Sequence, residues 1–153
     1  MTPVDVRFIN SGMESGDTFS LGGRAVLIAE DEMMIAMLAE DVIEELGGRV
    51  VGVAATCDAA LAMLADGAPA LVLLDVNLDG GTSERVVGAA AARGIPVLVS
   101  SGSDANALPP EFRGLPMLGK PWGFGEMRQA LAALLPSAHD AGQPPLQASQ
   151  QSA

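Results

Sequence analysis

Between residues 24 and 135 the chain alternates two apolar patterns. Short unbroken runs rich in Val, Leu and Ile fall at Ala25–Ala29, Val50–Ala54, Leu71–Leu74, Pro96–Val99 and, more weakly, Pro116–Leu118. Runs of this length without polar interruption predict strands buried on both faces. Between them the apolar positions take up helical spacing. Glu32 to Leu46 puts Ile35, Leu38, Val42 and Leu46 on one face and Glu40, Asp41, Glu44 and Glu45 mostly elsewhere, with Gly47 and Gly48 as its stop. Met33, Met34 and Met37 are expected to fill the core or its margin. A second helix is predicted from Asp58 to Asp66, capped by Thr56 or Asp58 and stopped by Gly67. A third runs from Ser83 to Arg93, before Gly94, and a last from Phe124 to Leu135. Ser103 to Gly114 breaks the rhythm. Asp104 to Leu108 has room for a turn or two, and Pro109 and Pro110 forbid more, so a short or unstable fourth helix is predicted there.

Strand and helix alternating five times imply an α/β fold, a doubly wound, mostly parallel sheet with helices on both faces. The flanks differ from this core. Residues 1–23 lack sustained periodicity and are expected to form a disordered arm. Residues 136–153 are rich in Pro, Gln and Ser and are expected to form a disordered tail. A chain of 153 residues with one such core is read as one domain, over 24–135.

Charge narrows the range of partners. The chain has 19 acidic and 8 basic residues, a formal net charge of -11. Such a chain repels a phosphate backbone, so no direct nucleic-acid binding is expected. It has no polybasic segment to hold an anionic membrane surface, no apolar run long enough to span a bilayer, and no visible signal peptide. The single cysteine, Cys57, excludes an internal disulfide and fits a reducing compartment. A soluble, cytoplasmic domain is the expectation. Cys57 reads as a small, at least half-buried apolar residue rather than a redox switch.

In a doubly wound sheet, ligands bind outside the carboxyl ends of the strands. Here those ends carry unusual groups: Glu30 and Asp31 after the first strand, Asp75 after the third, Ser100 and Ser101 after the fourth, and Lys120 after the fifth. Lys120 is the only lysine among the 8 cations. Three converging carboxylates repel one another and call for a counter-cation. With oxygen donors only, and no His or Cys near a strand end, Mg2+ fits and zinc does not. A metal held by few carboxylates keeps positions open for a phosphate. Lys120 is a compact charge suited to a phosphoryl oxygen, Ser101 can donate to another, and Asp75 would be a carboxylate nucleophile.

The motifs VLIAEDE, LVLLDVNL, IPVLVSSG and LGKPW, in order and each at a predicted strand end, resemble the response-regulator receiver family. The resemblance covers roughly residues 24–135, and the spacing from Asp31 to Asp75 is typical of the family. It implies a flavodoxin-like (βα)5 fold with strand order 2-1-3-4-5. Asp75 would be the phosphoacceptor, served by a phosphohistidine on a histidine kinase or a histidine phosphotransfer protein. Asp31 would ligate Mg2+ directly and Glu30 largely through water, with Asp75 and the backbone carbonyl of Asn77 as further ligands. Ser101 and Lys120 would bind the phosphoryl group. Lys120–Pro121 is often a cis peptide in this family, and Asn77 and Ser103 sit where side chains modulate autodephosphorylation. The chain departs from the family in several places. Met117 replaces the usual aromatic three residues before the lysine, Trp122 stands where Phe is more usual, and the interval from Ser101 to Lys120 is short. DVNL with Gly80 and Gly81, and the compact stretch from Ser101 to Lys120, look like a stand-alone, single-domain subgroup that acts on a downstream protein partner.

Two other chemistries compete. A haloacid-dehalogenase type phosphohydrolase wants Asp-x-Asp on the first strand, whereas Asn77 follows Asp75 by two and the strand is the third. A flavodoxin-like cofactor binder wants a Ser/Thr/Gly phosphate loop after strand one, where this chain has Glu30, Asp31 and Glu32.

Overall fold

The computed structural model describes residues 19–79, 81–102 and 108–136. Its chain order is β1 (Ala25–Ala29), α1 (Met33–Glu45), β2 (Arg49–Ala54), α2 (Cys57–Asp66), β3 (Leu71–Asp75), β4 (Asn77–Leu78), β5 (Gly81–Thr82), α3 (Glu84–Ala92), β6 (Val97–Ser101), a 3-10 turn at Pro110–Phe112, β7 (Met117–Gly119) and α4 (Phe124–Leu134). The five-stranded sheet runs β2-β1-β3-β6-β7, and all its pairings are parallel. Counting only its own strands, this is the predicted order 2-1-3-4-5. β3 and β6 are buried throughout, as central strands covered on both faces must be. The edge strand β2 alternates exposed and half-buried residues up to the buried Ala54.

Two apolar layers hold the helices on. α2 and α3 pack on one face through Ala60, Leu64, Val86, Val87 and Ala90, joined by the fully buried Phe112. α1 and α4 pack on the other through Ala36, Ala39, Val42, Ile43, Met127 and Leu131, joined by Trp122. The helix ends follow their local chemistry. Thr56 Oγ1 accepts from Ala59 N at 3.0 Å, which caps α2. α1 ends before Gly47, whose φ of 86° few residues with a Cβ adopt. No helix among the described residues is long and apolar enough to cross a membrane.

Two expectations change. Met33, Met34 and Met37 are exposed (71%, 82% and 55%), and Leu38 faces solvent with them. The buried face of α1 keeps the predicted Val42, and Leu46 after it, but is otherwise Ala36, Ala39 and Ile43, because small alanines let the helix lie close on the sheet. The packed region begins before Arg24: Leu21 is fully buried, and its N–H donates to the Leu46 carbonyl at 2.7 Å. The arm expected over 1–23 therefore yields its last residues to the core. Of the predicted fourth helix, residues 103–107 lie outside the described residues, and beyond them there is only the turn at Pro110–Phe112. The short hairpin of β4 and β5 was not predicted.

Candidate functional site

The carboxyl ends of β1, β3, β6 and β7 bring the predicted residues together. Glu30 leaves β1 with its N–H bonded to the Ala54 carbonyl at 2.9 Å. Its carboxylate turns back to accept from Glu32 N at 3.0 Å, at the entry to α1. Asp75 ends β3, where Oδ1 accepts from Asn77 N at 3.2 Å. Lys120 follows β7, and its N–H donates to the Ser101 carbonyl at 3.0 Å. Its ammonium reaches across the sheet to Asp75 Oδ2 at 2.9 Å and to Glu30 Oε1 at 3.0 Å. Asp31 is exposed beside them. One oxygen from each of Glu30, Asp31 and Asp75 lies within 4.8 Å of the others.

The electrostatics follow from this crowding. Burial pushes the Glu30 carboxyl above its ordinary value; the Glu32 N–H and Lys120 oppose the rise, and the Asp75 charge adds to it. Burial works against the Lys120 ammonium. Its hydrogen bonds to Asp75 and Glu30, and their charges, outweigh that and hold it above its ordinary value. Lys120 is therefore charged throughout the neutral range. One ammonium still leaves three carboxylates with excess negative charge. The donor set is all oxygen, so it fits a hard divalent cation such as Mg2+, with Glu30, Asp31 and Asp75 as its carboxylates.

The two serines ending β6 separate in role. Ser100 is paired in register with Asp75 on one side and Leu118 on the other, and its hydroxyl is taken by the indole of Trp122. Ser101 lies one position further out, opposite Gly119, and is buried. Asn77 begins the hairpin next to Asp75, and Ser103 lies outside the described residues. Lys120–Pro121 is cis. Cys57 is half-buried, its thiol donating to the Thr82 carbonyl at 3.4 Å. Burial, opposed by Arg85, pushes that thiol up.

Sequence reasoning missed two contacts. Ser83 stands at the N-cap of α3, as expected of a helix start, but its fully buried hydroxyl donates to the carbonyls of Asp75 at 2.6 Å and Val76 at 3.1 Å. The Trp122–Ser100 bond joins residues far apart in sequence. The only sign of it in the sequence is that β6 ends in two serines, Ser100 and Ser101, of which one can serve another partner.

No protein-family model matches the chain, and no curated protein matches it. Solved structures do. SdrG from Sphingomonas melonis Fr1 is 42% identical, with a TM-score of 0.67 over 74% of this chain and 98% of that one. The PhyR response-regulator receiver domain of Erythrobacter litoralis is 31% identical, with a TM-score of 0.68 over 75% of this chain and 92% of that one. The chain belongs to the response-regulator receiver family. As a receiver it is a signalling module of the two-component type, not a classical enzyme. A longer relative, described as the anti-anti-sigma factor PhyR from Bartonella quintana, is 29% identical with a TM-score of 0.67. The match covers 86% of this chain and 55% of that one.

Proposed function

We propose that this receiver accepts a phosphoryl group on Asp75 from a phosphohistidine of a histidine kinase or histidine phosphotransfer protein, and passes the change on through protein contacts. An Asp75 carboxylate oxygen attacks phosphorus. The bond from phosphorus to the imidazole nitrogen breaks, that nitrogen keeps the electron pair, and a mixed acyl phosphate forms on Asp75. Water later cleaves the acyl phosphate, returning the carboxylate and inorganic phosphate. Lys120 carries this reading most directly. Its ammonium already bonds the acceptor at 2.9 Å from a neighbouring strand end, where it can follow charge onto a phosphoryl oxygen. Ser101 offers a hydroxyl to a second oxygen.

Asp31, Asp75 and the Asn77 carbonyl would hold Mg2+, with Glu30 acting through water; when bound, the ion would supply positive charge to the transferring group. Residues 24–135, with Leu21 packed against them, would form the working domain, acting in the cytoplasm, with the rest of 1–23 and 136–153 as flanks. Like the relative described as an anti-anti-sigma factor, the receiver would act by binding another protein. Phosphotransfer profiling against the host's histidine kinases tests this. Label should move from at least one kinase to the wild-type chain and not to Asp75→Asn. Equal labelling of that variant would make the assignment wrong.

A further inference from the structure

Lys120 is useful only if its ammonium is aimed at Asp75, and a lysine stem has several freely rotating bonds. The chain fixes the root of that stem by anchoring the loop after β7 to the end of β6 at two points. The first is Lys120 N–H to the Ser101 carbonyl at 3.0 Å. Pro121 has no N–H to offer. The second anchor is therefore a side chain: Trp122 Nε1 donates to Ser100 Oγ at 3.1 Å. Both partners are buried, with Ser100 at 3% and Trp122 at 7% exposure. Ser100 is also the register partner of Asp75 on β3. Trp122 and Ser100 line one small cavity with Asp75, Glu30, Leu73 and Ile35.

We propose that the Trp122–Ser100 hydrogen bond is a latch that positions Lys120 against the acceptor, so that both are positioning residues for phosphorylation. This rests on Asp75 being the acceptor. The hydroxyl of Ser100 serves the indole, leaving the phosphoryl group to Ser101. Losing the latch frees the lysine loop to drift, and small displacements of a charge aimed at a reacting group are costly in rate.

The test measures labelling of the full chain by acetyl phosphate with Mg2+, by intact mass over time. Ser100→Ala and Trp122→Phe should each slow labelling roughly fivefold to tenfold. Ser100→Thr, which keeps the hydroxyl, should recover most of the rate. Urea unfolding of each variant establishes that it is folded under assay conditions. The decisive arm is a double-mutant cycle with Lys120→Ala. If the latch acts through the lysine, Ser100→Ala should cost almost nothing more in that background. Wild-type labelling by Ser100→Ala, or the same fold loss with and without Lys120, overturns the latch. Asp75→Asn in the same assay separates the two claims. If it labels like wild type, the acceptor reading fails and the latch with it; if it is silent, a fast Ser100→Ala counts against the latch alone.

Discussion

The two ends of the parallel sheet share the same strands and differ in almost everything else. At the carboxyl end, strand termini deliver Glu30, Asp75, Ser100, Ser101 and Lys120, all in contact with polar partners and mostly buried. At the amino end, near the starts of β1 and β2, lies an open groove of about 440 Å³. Ala25, Leu27, Val51, Met63 and Pro69 line it, and Arg49 and Asp66 are its charged members. That groove is chemically poor, and the crowded strand ends hold the chemistry. A site for a compact, transient phosphoryl group needs convergent charge more than volume. Parallel strands supply that convergence because every carboxyl terminus points the same way.

The contrast predicts a separation of effects: the carboxyl end should control labelling, and the turns at the amino end should control stability. The largest effect after loss of Asp75 belongs to Lys120→Arg. It keeps the charge but replaces a compact ammonium with a wide planar fork in a space cut to the smaller group. Acetyl phosphate labelling or downstream signalling should fall about tenfold. Unchanged rates and output would remove the lysine from the account.

Next comes Gly48→Ala, in the turn before β2. Its Cβ would meet Leu21 Cδ1 at 2.6 Å and Ile43 Cγ2 at 2.9 Å, both in a buried layer. Stability to urea should drop by about 1–3 kcal/mol, while the folded variant labels at the wild-type rate. Slow labelling by a fully folded Gly48→Ala would break the separation.

The smallest effect concerns pH. The folded-state pKa of Glu30 is raised above 4.5, chiefly by burial. The folded chain therefore holds a proton that the unfolded chain has already released. This group's contribution to stability falls as pH rises from 4.5 through the raised value. Glu30→Gln removes that slope, so its stability relative to wild type should improve from pH 4.5 toward neutrality. A difference that stays flat, or runs the other way, would contradict the burial argument. Lys120 acts in another window: its stabilisation is present below 10.5 and is lost as pH rises through its raised folded value.

Much of this was legible in the sequence for a physical reason. Strands buried on both faces must be apolar throughout, so LVLLD and VLVSS stand out, and the first polar residue after each run marks a strand end. Asp75 and Lys120 were visible because they are those end residues. The phase of α1 was legible in part: Val42 and Leu46 are buried and Ile35 packs against the same layer, but Leu38, Met33, Met34 and Met37 are left in solvent, and the small Ala36 and Ala39 take the positions against the sheet. The hairpin of β4 and β5 has strands of two residues, too short for any period to show. Ser83 and Ser100 were illegible as partners because a hydroxyl does not declare which distant group it will meet.

The central claim is that Asp75 itself carries the phosphoryl group. Borohydride reduces an acyl phosphate to an alcohol and leaves free carboxylates alone, so it converts a phosphorylated aspartate to homoserine. Acetyl phosphate-treated chain, quenched with borohydride and mapped by peptide mass, should show homoserine at position 75 and aspartate at position 31. Homoserine at position 31, or at neither position in a chain that has gained a phosphoryl group, would contradict it.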